Sequence, residues 1–281
     1  MQNKLIAFQI VYNLRNSNLH HEKRQYNYKF VIYQNQQDYI QTDLNLFVYN
    51  PVDFDKSQTY NCIVFFHGGG WNSGDYKQFE RQSTYFASRG MVAISVEYRI
   101  RNKHGTSPIE AIEDAKSAIR FIRSNAKLFS INPNRIAAAG GSAGGHLAAA
   151  AGNIDLFDNS REDLSISSKP NLLILYNPVL HYVRKWGWID SPSNASPYEN
   201  LSEGAPPTII LTGTLDKIVP IELIENYKKR MEAVGSRCDV IFYEGAEHAF
   251  FNRGQDFIDT LYESDIFLKS NWYLSGPPTI K

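Results

Sequence analysis

A serine stands among glycines in Gly140-Gly141-Ser142-Ala143-Gly144-Gly145. The apolar run Arg135-Ile136-Ala137-Ala138-Ala139 precedes it, and the helix-forming His146-Leu147-Ala148-Ala149-Ala150-Ala151 follows. Strand, glycine-flanked serine and helix are the context of a G-x-S-x-G elbow, which exposes a serine hydroxyl at the top of a sheet. Small neighbours let strand and helix approach through a tight, strained turn. The serine then lies at a helix N-terminus, where outward-pointing N–H groups favour negative charge. Two plainer readings compete: a glycine-rich turn without chemistry, and a phosphate-cradling loop. The second lacks both G-x-x-x-x-G-K-[ST] and G-x-G-x-x-G.

A serine hydroxyl attacks only when a base takes its proton, and the base needs a third group to hold its tautomer. His248, in Gly245-Ala246-Glu247-His248-Ala249-Phe250, follows the last expected strand and is the expected base. His104, His146 and His181 are its competitors; His146 lies on the elbow's own helix and is expected to point along it. Asp216, in Gly213-Thr214-Leu215-Asp216-Lys217-Ile218-Val219-Pro220, is the expected acid, with Asp190 and Asp239 as rivals. Donors for a developing oxyanion are expected from the backbone of Ala143, and of Gly68 and Gly69 in His67-Gly68-Gly69-Gly70-Trp71. Glycine suits that role because the backbone must approach the substrate closely. His67 is read as holding this loop. Trp71 is read as packing first and as a substrate contact second. Trp186 and Trp188 could stack on a sugar or an aromatic acyl group, or simply cover the core.

These residues need a frame. Tyr26, Tyr28, Phe30 and Ile32 alternate, as do Leu44, Leu46 and Val48; with the polar stretch Gln34 to Asp43 between them they read as an antiparallel hairpin. Cys62-Ile63-Val64-Phe65-Phe66, Met91 to Val96, Asn171 to Tyr176, Thr208 to Thr212 and Val240 to Tyr243 are continuous apolar runs, as strands buried on both faces require. Helices are expected over Gln78 to Arg89, Ile221 to Val234 and Asp256 to Lys269. Another starts at Ser107-Pro108-Ile109-Glu110, a capping box with proline at the first position, and runs to about Leu128. The alternation implies an α/β fold: a mostly parallel sheet with an antiparallel N-terminal hairpin and helices on both faces. The candidate residues then all follow strands, at the carboxyl edge where such sheets gather function. Residues 1–25 read as an arm or partial lid, 26–281 as one catalytic domain, and 181–197 as an aromatic insertion in it.

His67-Gly68-Gly69-Gly70-Trp71, Glu97-Tyr98-Arg99, the elbow, Asp216 with Val219-Pro220, and His248-Ala249-Phe250-Phe251 together resemble the hormone-sensitive-lipase-like esterases of the α/β-hydrolase superfamily. The likeness runs from about Tyr26 to the C-terminus. Arg99-Ile100-Arg101 with His104-Gly105-Thr106-Ser107-Pro108 is similar to a bacterial branch linked to acetyl and feruloyl esters on polysaccharides. The resemblance implies the α/β-hydrolase fold, whose catalytic order is serine, acid, histidine. It also implies Ser142 as nucleophile, Asp216 as acid and His248 as base, with no cofactor. Two departures stand out: Gly141 replaces an acidic residue common in relatives, and the segment before the first strand is short for a full helical cap.

Composition narrows the alternatives. The 281 residues carry 29 basic and 29 acidic side chains, so no basic surplus points to nucleic acid or an anionic membrane. No apolar run approaches the roughly 20 residues of a membrane span. Seven histidines include no pair at metal-ligand spacing, and no metal is expected. Cys62 and Cys238 fall in expected strands, which suits buried thiols and leans towards the cytoplasm; a removed leader would make the protein secreted or periplasmic. The expected activity is hydrolysis of short-chain acyl esters, on carbohydrates in the resemblance's narrower branch. Feruloyl esters, amides (as in arylformamidases or peptidases) and a non-enzymatic ligand-binding role are the alternatives, and a homodimer is left open.

Overall fold

The computed structural model describes residues 23–35, 38–181 and 193–280. Strands β1 (Lys23–Asn35), β2 (Asp38–Tyr49), β3 (Tyr60–Phe66), β4 (Val92–Val96), β5 (Ile131–Gly141), β6 (Leu172–Tyr176), β7 (Thr208–Gly213) and β8 (Cys238–Tyr243) form one sheet. Its order is β1-β2-β4-β3-β5-β6-β7-β8. The β1–β2 and β2–β4 pairs are antiparallel and the rest are parallel. The fold is therefore the expected mixed sheet with its antiparallel hairpin at one edge.

Side chains alternate across the sheet, so each central strand feeds two cores. Cys62, Val64 and Phe66 face the helices α3 (Pro108–Ser124), α5 (Ala143–Asn153) and α6 (Ile221–Ala233). Ile63 and Phe65 face α1 (Glu80–Ser88) and α7 (Gly254–Ser270). Burial on both faces explains why these strands read as unbroken apolar runs. Each fully buried Ile, Val or Phe adds roughly 1.5–3 kcal/mol of transfer free energy. Among the described residues, no helix is long and apolar enough to cross a membrane.

Three local expectations needed correction. The polar stretch Gln34 to Asp43 is mostly strand: β1 and β2 pair from Lys23 with Tyr49 to Asn35 with Asp38, with one register shift between Asn27 and Lys29. Phe30, Ile32 and Tyr39 are exposed on this pair, while Val31, opposite Thr42, is buried against the core, so the polar residues mark a strand with one solvated face. The helix begun at Ser107 ends at Ser124 and resumes as α4 (Ala126–Phe129). Asn125, at φ −104° and ψ 26°, leaves the helical conformation between the two, and its side-chain amide caps the first helix by donating to Phe121 O. A short helix that the sequence did not suggest, α2 (Arg101–His104), is closed by Gly105 at φ 67°.

Candidate active site

Ser142 occupies the turn from β5 into α5 with φ 54° and ψ −117°, a conformation that costs a non-glycine residue strain. Its N–H donates to Tyr176 O at 2.9 Å, pinning the turn to the end of β6. Gly144 lets the turn be this tight: a Cβ there would run into Phe66 O at the end of β3.

His248 follows β8 and brings Nε2 to 2.9 Å from Ser142 Oγ. Its Nδ1 lies 2.7 Å from Asp216 Oδ2. A carboxylate oxygen only accepts, so Nδ1 carries the proton and Nε2 is left to accept one from the serine. Asp216 follows β7. Its Oδ1 accepts from the Ile218 and Val219 amides at 2.8 and 2.9 Å. Its Oδ2 also accepts from Asn177 Nδ2 at 2.7 Å. Burial alone would raise the Asp216 pKa, but the His248 and backbone hydrogen bonds outweigh it and hold the carboxyl below its ordinary value.

The glycine loop lies on the other side of the serine. Tyr98 Oη donates to His67 O at 2.7 Å, and His67 Nδ1–H donates to Gly68 O at 2.8 Å. Burial pulls the His67 pKa down to about 4, so the ring is a neutral strut. Gly69 (φ 120°) and Gly70 (φ 62°) turn the chain, and the Asn72 and Ser73 amides both donate to Gly69 O. Gly68, expected as an oxyanion donor, spends its N–H on Gln78 Oε1 at 2.6 Å. Among the described residues, the amides of Gly69, Gly70 and Ala143 donate to no protein acceptor. Within the glycine loop, the N–H groups of Gly69 and Gly70 are thus the ones without a protein partner, and that of Gly68 is taken.

The other candidates lie apart from the serine. His146 is buried with Nε2 3.0 Å from Ala195 O. His104 Nδ1 accepts from the Ile100 amide, and His181 Nδ1 lies 3.0 Å from Ser196 Oγ. Asp239 pairs with Arg237. Trp71 is 1% exposed and meets His146 edge-on, which is a packing position and not one open to substrate. Trp186, Trp188 and Asp190 lie outside the described residues. Cys62 and Cys238 are free and buried. Asn177 and Gln78 are the contributors that sequence reasoning missed. Only the position of Asn177 at a strand end hinted at one of them.

Ser142 and His248 open into a cleft of about 380 Å³, which Gly68, Gly69, Gly70, Asn72, Gln78, Ile218, Ala249 and Phe251 also line. That volume is at the small end of ordinary ligand pockets. Among the described residues, no three His, Cys, Asp or Glu side chains converge as a metal site.

Comparison with known proteins agrees with this geometry. The BD-FAE family model matches residues 46–174 and the dienelactone hydrolase family model matches residues 182–266. Esterase LipC of Mycobacterium tuberculosis is 28% identical over 67% of this chain and 52% of its own length. The acetylxylan esterase of Xylanibacter ruminicola is 26% identical over 77% of this chain and 46% of its own. The chain thus spans about half the length of these curated relatives. Thermogutta terrifontis esterase 2, solved phosphorylated by paraoxon, is 38% identical, with a TM-score of 0.83 over 90% of this chain and 96% of that one. On the sheet, the elbow and this match along nearly the whole length of a solved esterase, the chain belongs to the esterases of the α/β-hydrolase superfamily.

Proposed function

We propose that the protein is a serine carboxylesterase that hydrolyses short-chain, acetyl-type esters, with carbohydrate alcohols as its natural leaving groups. The observation that carries this reading is the unbroken relay from Asp216 through His248 to Ser142, at 2.7 and 2.9 Å. Ser142 Oγ attacks the ester carbonyl as its proton passes to His248 Nε2. The N–H groups of Gly69, Gly70 and Ala143 take the charge that develops on the carbonyl oxygen. The tetrahedral intermediate collapses, and the alcohol leaves with the proton from His248. Water, deprotonated by the same ring, then attacks the acyl-enzyme; the carboxylic acid departs and the proton returns to Ser142.

Two findings favour a short acyl group and a sugar ester. The cleft is small, and the Thermogutta esterase at 38% identity has been solved with propionate and with butyrate bound. Of the two curated relatives named above, the one that covers more of this chain is an acetylxylan esterase. The test is hydrolysis of p-nitrophenyl acetate, butyrate and octanoate and of acetylated xylo-oligosaccharides by the wild type and by Ser142→Ala. Turnover should fall with acyl length and drop by roughly 10⁶ in the variant. Paraoxon should block the wild type by phosphorylating Ser142. Full turnover by Ser142→Ala would remove the reading, and a preference for octanoate would remove the short-chain part of it.

A further inference from the structure

Gln78 lines the cleft beside Ser142, yet no step of the reaction uses it. Both ends of its amide are engaged, and they reach opposite sides of the site. Oε1 accepts from the Gly68 N–H at 2.6 Å. Nε2 donates to Asn252 Oδ1 at 3.3 Å, and Asn252 Nδ2 donates onward to Ala249 O at 2.9 Å. Gly68 precedes the two glycines assigned to the oxyanion in the mechanism proposed above, and Ala249 follows the proposed base. One side chain therefore ties the glycine loop to the histidine loop. The turn that carries it is fixed from below: Phe79 is fully buried between Phe65 and Phe251, with ring centroids 5.0 and 5.8 Å away.

The two ends have different polarity, so the chemistry demands an amide. Gly68 offers a donor and Asn252 Oδ1 an acceptor. A carboxylate would keep the first contact and lose the second, and an alkyl chain would lose both. The first contact also uses the Gly68 N–H, which leaves the oxyanion to the next two amides along the loop.

We propose that Gln78 is a positioning residue, which holds the Gly69 and Gly70 amides in register with Ser142 by clamping the glycine loop to the loop that carries His248. This rests on the esterase reading above. Oxyanion donors act only when they meet the place where charge develops, so a loop shifted by a fraction of an ångström loses rate without losing substrate.

The experiment compares p-nitrophenyl acetate with its thionoester on wild type, Gln78→Ala, Gln78→Glu and Asn252→Ala. A thiocarbonyl sulfur is a weaker acceptor on a longer bond, so it profits less from aligned N–H donors. Gln78→Ala should lower kcat for the oxygen ester about 10–100-fold, a fraction of the roughly 10²–10³ attached to a whole oxyanion donor. KM should stay within about threefold, and the oxygen-to-sulfur rate ratio should shrink about fivefold or more. Gln78→Glu and Asn252→Ala should show smaller shifts in the same direction. Loss of folded enzyme would lower both rates together and leave the ratio fixed. An active wild type whose ratio survives in Gln78→Ala overturns this proposal alone; if that variant does not fold, the ratio in Asn252→Ala decides it. Full turnover by Ser142→Ala would remove the esterase reading and this proposal with it.

Discussion

His67 and His248 flank the same serine but belong to different kinds of machinery. His67 is buried, neutral and engaged with backbone: it donates to Gly68 O, and its own carbonyl accepts from Tyr98. It shapes a loop whose working groups are main-chain amides. His248 is partly exposed and held by a side chain, Asp216, which is itself held by Asn177 and two amides. In the proposed mechanism the oxyanion side is a matter of backbone shape, whereas the base side is a matter of protons. The two should therefore fail differently: the first to an added Cβ, the second to a changed hydrogen-bonding pattern at unchanged volume.

Asp216→Asn is the largest expected effect. All four acceptor contacts of the carboxylate are taken, two on each oxygen. An asparagine that kept its oxygen on the Ile218 and Val219 amides would present NH₂ to the Asn177 amide and to His248 Nδ1. The ring would have to reverse its tautomer, turning an N–H towards Ser142 that cannot accept a proton. The expected loss in kcat is about 10⁴, the size seen where this substitution inverts a triad tautomer. Steady-state kinetics on p-nitrophenyl acetate across a pH series would check it, and the pH profile should change along with the rate. A loss below tenfold would mean that Asp216 does not orient the ring.

Gly69→Ala comes next and tests the other side. At φ 120° its Cβ would run into Ser73 O, so the loop must open or twist. Losing one aligned donor costs roughly 10²–10³ in kcat. The pH profile should keep its wild-type form, because no group of the relay is touched. If Gly69→Ala moved the profile as Asp216→Asn does, the division into a shape side and a proton side would fall.

Much of this division was legible in the chain, for a physical reason. Strands β3 to β7 are buried on both faces, so composition alone marks them. Turns at their carboxyl ends then carry glycine, serine and aspartate at positions that only chemistry or tight geometry explains. The residues that hold those turns were not legible. Gln78 reaches Gly68 and Asn252 across 10 and 174 residues of sequence, and nothing local separates it from any polar residue in a short 3₁₀ turn. Asn177 was visible as a strand end, but its bond to Asp216 exists only because β6 and β7 are neighbours. Gly68 and Gly70 are indistinguishable in a glycine run until one amide is seen to be occupied. The hairpin was legible but its length was not: Leu44, Leu46 and Val48 mark the buried half of β2, whereas the polar residues before Leu44 give no such signal.

Acid exposes the comparison most gently. His67 is 3% exposed and His146 is fully buried, and burial pulls each pKa down to about 4. In the unfolded chain both would titrate near the ordinary value of about 6.5. Between those limits the unfolded state binds protons that the native state refuses, so stability is greatest above the upper limit and falls as the pH drops towards 4. Each ring contributes a slope of roughly 1–1.5 kcal/mol per pH unit over that window. Acid should therefore unfold the shell around the glycine loop. Thermal midpoints at pH 7, 6, 5 and 4.5 for the wild type and His146→Gln would measure this, because glutamine can still donate to Ala195 O but cannot titrate. The variant should start less stable at pH 7 and lose Tm about two-thirds as steeply on acidification, because His67 and the buried His104, whose pKa is also pulled down to about 4, still titrate. An equal slope in both proteins would mean that the buried rings do not carry the acid lability.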